Sequence, residues 1–111
     1  MEAALMDQPS QQIPILKIRV LHYLQSFADD QYVGHCLDLD LVATGPDAET
    51  ASRRLDAIVK AQVETAIGSG NYALLNTPAP QGYWDRFLNG TKLPSRAIDF
   101  PGAKVGILPA C

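Results

Sequence analysis

The chain has 111 residues, of which 47% are apolar and 19% charged, a size that suits one folded domain. Its net charge of -3 argues against a protein that follows nucleic-acid phosphates, so we expect no DNA binding by this chain alone. Two cysteines, Cys36 and Cys111, are too few for a disulfide scaffold or a four-thiolate zinc site. We predict no metal ion and no cofactor.

The N-terminal residues 1–12 are polar and show no structural period, which predicts a flexible tail. They lack the basic start and apolar centre of a secretory signal. No stretch of the chain approaches the roughly 18 apolar residues that a membrane helix needs. We therefore expect a cytoplasmic protein without a membrane contact.

Alternating apolar and polar residues predict three strands at 15–27, 32–39 and 41–44. The polar link at 28–31 has the length of a hairpin loop, so the strands form an antiparallel meander. One side of the first strand is mostly apolar and is predicted to face the core; it carries Leu16, Ile18 and Val20.

A long helix is predicted after the third strand. Asp47 has the side chain of a helix N-cap, and residues 68–71 contain the glycines that end a helix. Apolar residues in between recur at helical spacing, as a stripe that covers the sheet: Ala51, Leu55, Ile58, Val59, Val63, Ala66 and Ile67. We expect Leu55, Ile58, Val59 and Val63 to pack against the apolar side of the first strand.

The last forty residues contain five prolines and predict an irregular arm. A short helix at 82–88 and a final strand at 103–108 are the regular elements that we expect there. The fold class is therefore α+β, a small antiparallel sheet in the order β-β-β-α-β with one long helix on one face. Three segments are predicted: the tail at 1–12, a core at 13–70 and the arm at 71–111.

Two carboxylates, Asp38 and Asp40, are two residues apart on the predicted second strand and would point to one side. Such a pair could hold Mg²⁺ in a nuclease site, although two-metal sites need more acids. The alternative is a pair of solvated side chains at a strand end. The neighbouring His35 and Cys36 should point to opposite faces, which disfavours a shared metal. The same geometry disfavours a Cys–His nucleophile, unless His22 faces Cys36 across the hairpin.

A partner-binding or oligomer surface is suggested by apolar side chains in two places. The second face of the first strand carries Ile15, Leu21 and Tyr23, which one helix on the other face would leave uncovered. The aromatic segment adds Tyr83, Trp84 and Phe87, which either anchor an interface or fold back on the sheet. We expect a homodimer or homotetramer.

The motif YVGHCLDLD at 32–40, followed by VATG at 42–45 and a capped helix with Glu49, Ala51 and Leu55, resembles the HicB-like antitoxin family. The resemblance covers residues 15–67. It implies a partial ribonuclease H-like fold, with a small sheet, a helix on one face and another strand after the helix. It also implies a partner, a small HicA-like toxin that cleaves RNA and that the antitoxin masks.

Complete members of that family add a C-terminal helix-turn-helix or ribbon-helix-helix that binds DNA, and residues 68–111 show neither pattern. The sequence therefore predicts a non-enzymatic HicB-like antitoxin, or an orphan relative without a toxin. Two alternatives remain open: a small metal-dependent nuclease that uses Asp38 and Asp40, and a homo-oligomeric structural module.

Overall fold

The structure is a computed structural model, and it describes residues 15–25, 31–100 and 103–111. The three predicted strands and the long helix are present in the predicted order: β1 (Ile15–Leu24), β2 (Tyr32–Cys36), β3 (Leu41–Gly45) and α1 (Ala48–Ser69). They are followed by a 3₁₀ turn (Tyr72–Leu75), α2 (Gln81–Asn89), β4 (Arg96–Phe100) and β5 (Ala103–Ala110). The α+β class is confirmed. The predicted tail at 1–12 and most of the predicted link at 28–31 lie outside the described residues.

The sheet has five strands in the order β3-β2-β1-β5-β4. Its strands pair in antiparallel fashion except β1 and β5, which are parallel from Ile15↔Lys104 to Leu21↔Ala110. The expectation of a purely antiparallel sheet was therefore wrong, because β5 returns beside β1 after a long connection through both helices. Strand β4 was not predicted.

The predicted boundary at residue 70 does not separate a core from an irregular arm. Strand β5 lies between β1 and β4, and its Val105 and Ile107 are buried in the main core. The predicted final strand at 103–108 corresponds to β5, whereas β4, which lies between Pro94 and Pro101 in the sequence, had no recognisable pattern. Residues 71–111 instead complete the sheet that residues 15–70 begin.

The main core lies between α1 and the sheet, where Ile18 and Val20 of β1 pack with Leu55, Val59 and Val63. The predicted stripe is confirmed except for Ile58, whose side chain is 39% exposed. The buried positions follow the helix at intervals of four and then three residues, and Ile58 lies beside that line. Gly34 of β2 permits the close approach of α1, because a Cβ there would lie 3.2 Å from the Leu55 side chain.

The ends of α1 follow from local chemistry. The Asp47 carboxylate accepts a hydrogen bond from the Thr50 backbone N–H at 2.7 Å, which caps the first turn. Gly70 adopts a left-handed conformation with φ of 69° just after the helix, where a glycine has no steric penalty. Both predicted helix signals are confirmed.

Strand β2 is shorter than predicted and ends at Cys36, since residues 37–40 form a turn before β3. Asp40 has a positive φ of 52°, which is uncommon for a residue with a side chain. The alternation of LDLD at 37–40 therefore does not come from a strand. This turn carries both carboxylates of the nuclease hypothesis.

Candidate functional site

Helix α2 covers part of the second face of the sheet, and together they form what we call the α2 face. Its buried centre consists of five side chains: Leu21, Leu37, Ala79, Phe87 and Ala110. Tyr23, Tyr83 and Trp84 pack around this centre and are partly exposed. The aromatic segment thus folds back on the sheet, one of the two interpretations that the sequence allowed.

The residues expected to bind a partner therefore contact one another within the chain. Leu21 is only 2% exposed and Phe87 only 7%, so neither offers a free surface. The aromatic side chains around them keep an outer edge in solvent. The side chain of Ile15 lies outside the described part of the structure.

A buried histidine lies at the centre of the α2 face. His35 is 3% exposed, and its Nε2 donates to the Asp40 carboxylate at 2.8 Å. The Tyr23 hydroxyl lies 3.5 Å from its Nδ1, and the Tyr83 ring meets it edge-on, with ring centroids 4.6 Å apart. Burial, and then the neighbouring Tyr83, raise the pKa of Tyr23, so this phenol is a neutral donor.

Two arginines lie over aromatic rings at the rim of this face. The guanidinium carbon of Arg86 is 4.5 Å from the centroid of the Tyr23 ring, and that of Arg19 is 5.9 Å from a Trp84 ring. Arg19 also pairs with Asp38 at 2.8 Å. Cation–π contacts hold these long side chains close to the sheet while leaving their charged groups accessible.

The carboxylates of Asp38 and Asp40 do not form a pair. Asp38 accepts hydrogen bonds from the backbone N–H and the guanidinium of Arg19, whereas Asp40 accepts from His35. The expected arrangement on one side of a strand was wrong, because both residues belong to a turn. Among the described residues, no three His, Cys, Asp or Glu side chains are placed to hold a metal ion.

His35 and Cys36 point to opposite faces of the sheet, as predicted. Cys36 is buried in the main core, and this burial raises the pKa of its thiol to about 12. In the pairing of β1 with β2, His22 lies opposite Gly34 and Cys36 lies opposite Val20. His22 and Cys36 are therefore not directly opposite each other across the hairpin. Burial lowers the pKa of His22, with a smaller effect from Arg96.

An open groove of about 760 Å³ lies at the end of β1, a feature that the sequence analysis missed. Its lining includes His22 and Leu24 of β1, Glu49 of α1 and Leu93. Tyr23 and Arg86 line it from the α2 side. Leu21 and Cys111 also line the groove, so residues from opposite ends of the sequence meet there.

The chain matches no protein-family model, no curated protein and no solved structure in the comparisons made. The resemblance to the HicB-like family accordingly stays an expectation. Within the described ranges, no helix is both long enough and apolar enough to cross a membrane.

Proposed function

We propose that the chain is a non-enzymatic binding protein of the HicB-like antitoxin type, or an orphan relative, that masks a small RNA-cleaving toxin. The observation that carries the proposal is the order of elements. Three strands and one long helix are followed by a further strand in the same sheet. This is the arrangement that the resemblance implies.

The carboxylates support a binding role over the nuclease alternative. A hydrolytic metal site needs carboxylate oxygens that converge on one point. Asp38 instead accepts a hydrogen bond from the Arg19 backbone N–H in β1, and Asp40 accepts one from the buried His35 ring. Both carboxylates thus serve the fold.

The rim of the α2 face supplies side chains that suit an interface. Arginine and aromatic residues are enriched among interface anchors, and here Arg19 and Arg86 lie over Trp84 and Tyr23. The overall charge of -3 favours a basic partner. A homodimer or homotetramer belongs to the same proposal, and light scattering of the reduced protein tests it.

Neutralisation of a toxin is the direct test of this function. The genomic neighbours of the gene for this chain are inspected first for a short basic reading frame; its product is then expressed with and without the chain, and growth and RNA integrity are measured. We expect RNA cleavage by the partner alone and intact RNA when both proteins are present. Continued cleavage in the presence of the folded chain would contradict the antitoxin function.

The nuclease alternative is tested on the chain by itself. Purified protein at micromolar concentration is incubated with RNA or DNA and Mg²⁺ or Mn²⁺, and we expect no cleavage. The control is the double variant Asp38→Asn with Asp40→Asn, with its folding checked by circular dichroism. Metal-dependent cleavage that the folded double variant lacks would replace the binding role by a nuclease.

A further inference from the structure

Strand β3 forms one edge of the sheet, and its outer side is open. The Leu37 N–H donates to the Arg19 carbonyl, so odd-numbered residues along β2 direct their backbone groups to β1 and even-numbered ones to β3. Because β3 pairs with β2 in register, the backbone groups of Val42 and Thr44 then point away from the sheet. The Thr44 carbonyl accepts from Arg54 Nη1 at 2.8 Å, whereas the other outward groups have no partner among the described residues.

The two edges of the sheet differ in how they are protected from pairing with further strands. Strand β4 carries Arg96 and Asp99 and lies between Pro94 and Pro101 in the sequence. Charged side chains and prolines are common means by which an edge strand is kept from pairing. Strand β3, with the sequence LVATG, has neither a charged residue nor a proline. The composition of β3 therefore favours the addition of a strand.

Exposed apolar side chains lie on both sides of this edge. Val42 is on the α2 side and is 45% exposed. On the α1 side, a row of exposed residues follows the helix at intervals of four and three: Arg54, Ile58 and Ala61. Arg54 bonds to β3, whereas Asp56 on the other side of the helix binds β4, so this row faces the open edge. The exposure of Ile58, which interrupts the predicted stripe, thus occurs beside β3.

The position of α1 determines which partner fits this edge. The helix lies across β2 and β3. If β3 pairs with β3 of a second copy, the two α1 helices lie two strand spacings apart, about 10 Å. Packed helices lie about 8–10 Å apart, so the helices meet when the strands pair. A lone strand from an unrelated partner would bring no helix and would leave Ile58 uncovered.

We propose that the outer edge of β3 is the interface of a homodimer. The β3 strands of two copies pair antiparallel about a two-fold axis at Ala43, and their sheets join into one. Val42 of each copy bonds through its N–H and C=O to Thr44 of the other copy. The Thr44 carbonyl can accept this second bond beside the one from Arg54. The α1 helices then pack side by side on the same face of the joined sheet, with Ile58 between them.

This inference gives the homodimer of the proposed function a location and rests on that assembly. One short strand and one helix row make a small interface, which suits a weak dimer that dissociates on dilution. Stability measured on dilute protein therefore reports on the monomer. The test uses the chain alone and no toxin, so its failure is distinct from a failure to neutralise a toxin.

Sedimentation equilibrium of the reduced protein, from micromolar to millimolar concentration, measures the assembly. We expect the mass to rise from 12.0 kDa toward twice that value. Ile58→Lys places a charge between the helices and should weaken the dimer about tenfold or more. The matched control is Leu88→Lys, the same kind of change at an exposed leucine of α2, which should assemble like the wild type. A monomer at every concentration, or equal effects of the two folded variants, would overturn the proposal.

Hydrogen exchange of the backbone amides, followed by NMR, locates the interface without a substitution. The amides of Val42 and Thr44 should exchange severalfold more slowly in concentrated than in dilute protein, because both are hydrogen-bonded in the dimer. Strand β4, the other edge of the sheet, is the control, and its amides should exchange at the same rate in both samples. Val42 and Thr44 amides that stay unprotected in the dimer, or that are already protected in the dilute monomer, would exclude pairing through β3.

Discussion

The two faces of the sheet are covered in different ways. On one face, the 22-residue helix α1 lies across β2 and β3 over an aliphatic core that includes Ile18, Leu55 and Val59. On the other, the nine-residue helix α2 covers a smaller group of apolar side chains beside the buried His35. The α1 face is held mainly by packed aliphatic side chains, with one ion pair between Arg96 and Asp56, whereas the α2 face depends more on hydrogen bonds and cation–π contacts.

This difference separates stability from recognition. Close packing of aliphatic side chains stabilises a fold and offers no chemical groups to a partner. The α2 face and the adjoining groove keep arginine guanidinium groups and aromatic edges in solvent. Four measurements test whether the two faces differ in this way.

The largest expected effect is on the aliphatic face. Leu55→Ala removes a fully buried side chain and should lower the free energy of unfolding by about 2–5 kcal/mol. Urea titration followed by circular dichroism measures this loss. The control is Ile58→Ala on the same helix, which should change stability far less because Ile58 is 39% exposed. Similar losses in the two variants would mean that α1 does not pack as described.

On the α2 face, His35→Ala should cost less. The substitution removes the bond to Asp40 and the contact with Tyr83, with an expected loss of roughly 1–3 kcal/mol. Because the aromatic rings would lose their packing, the near-ultraviolet circular dichroism should weaken while the far-ultraviolet signal persists. A loss as large as that of Leu55→Ala, without the spectral change, would remove the distinction between the faces.

The ion pair between α1 and β4 should have a smaller effect. Arg96 binds Asp56 through two hydrogen bonds, one of them 2.9 Å between Nη2 and Oδ1, and both side chains are partly exposed. Asp56→Asn should destabilise the protein by roughly 1 kcal/mol or less, and less in high salt. The control, Asp99→Asn, alters an exposed pair at 3.7 Å and should leave the urea midpoint unchanged. Equal midpoints for both variants would show that the pair does not join helix and sheet.

The smallest effect concerns the start of α1 and depends on pH. The Thr50 backbone N–H holds the pKa of Asp47 below its usual value. A lowered pKa in the folded state means that the charged cap stabilises the protein at neutral pH and that this contribution is lost as the pH falls through the lowered pKa of the carboxyl group. Asp47→Asn keeps the hydrogen-bond acceptor and loses the charge. Its urea midpoint should lie slightly below that of the wild type at pH 7, and the difference should shrink as the pH is lowered through the acid range; a constant difference would exclude the charge as the cause.

Local patterns in the sequence were enough to predict the first strand, the long helix and the sides that they bury. The alternation in β1 identified Ile18 and Val20 as core residues, and the helical spacing identified Leu55, Val59 and Val63. Asp47 and Gly70 marked the ends of α1. These signals are readable because burial repeats with the period of the element, and caps act within a few residues.

The strand order, the α2 face and the groove depend on contacts between segments that are far apart in the chain. Strand β5 pairs with β1, which lies some ninety residues earlier, and β4 adds Arg96 to an ion pair with α1 and Ile98 to the main core. Asp38 and Asp40 looked like a pair, yet their partners come from β1 and β2. The groove is lined by residues of β1, β2, α1 and α2, which the fold brings together. Each feature depends on where distant segments lie relative to one another, which no local period of the sequence records.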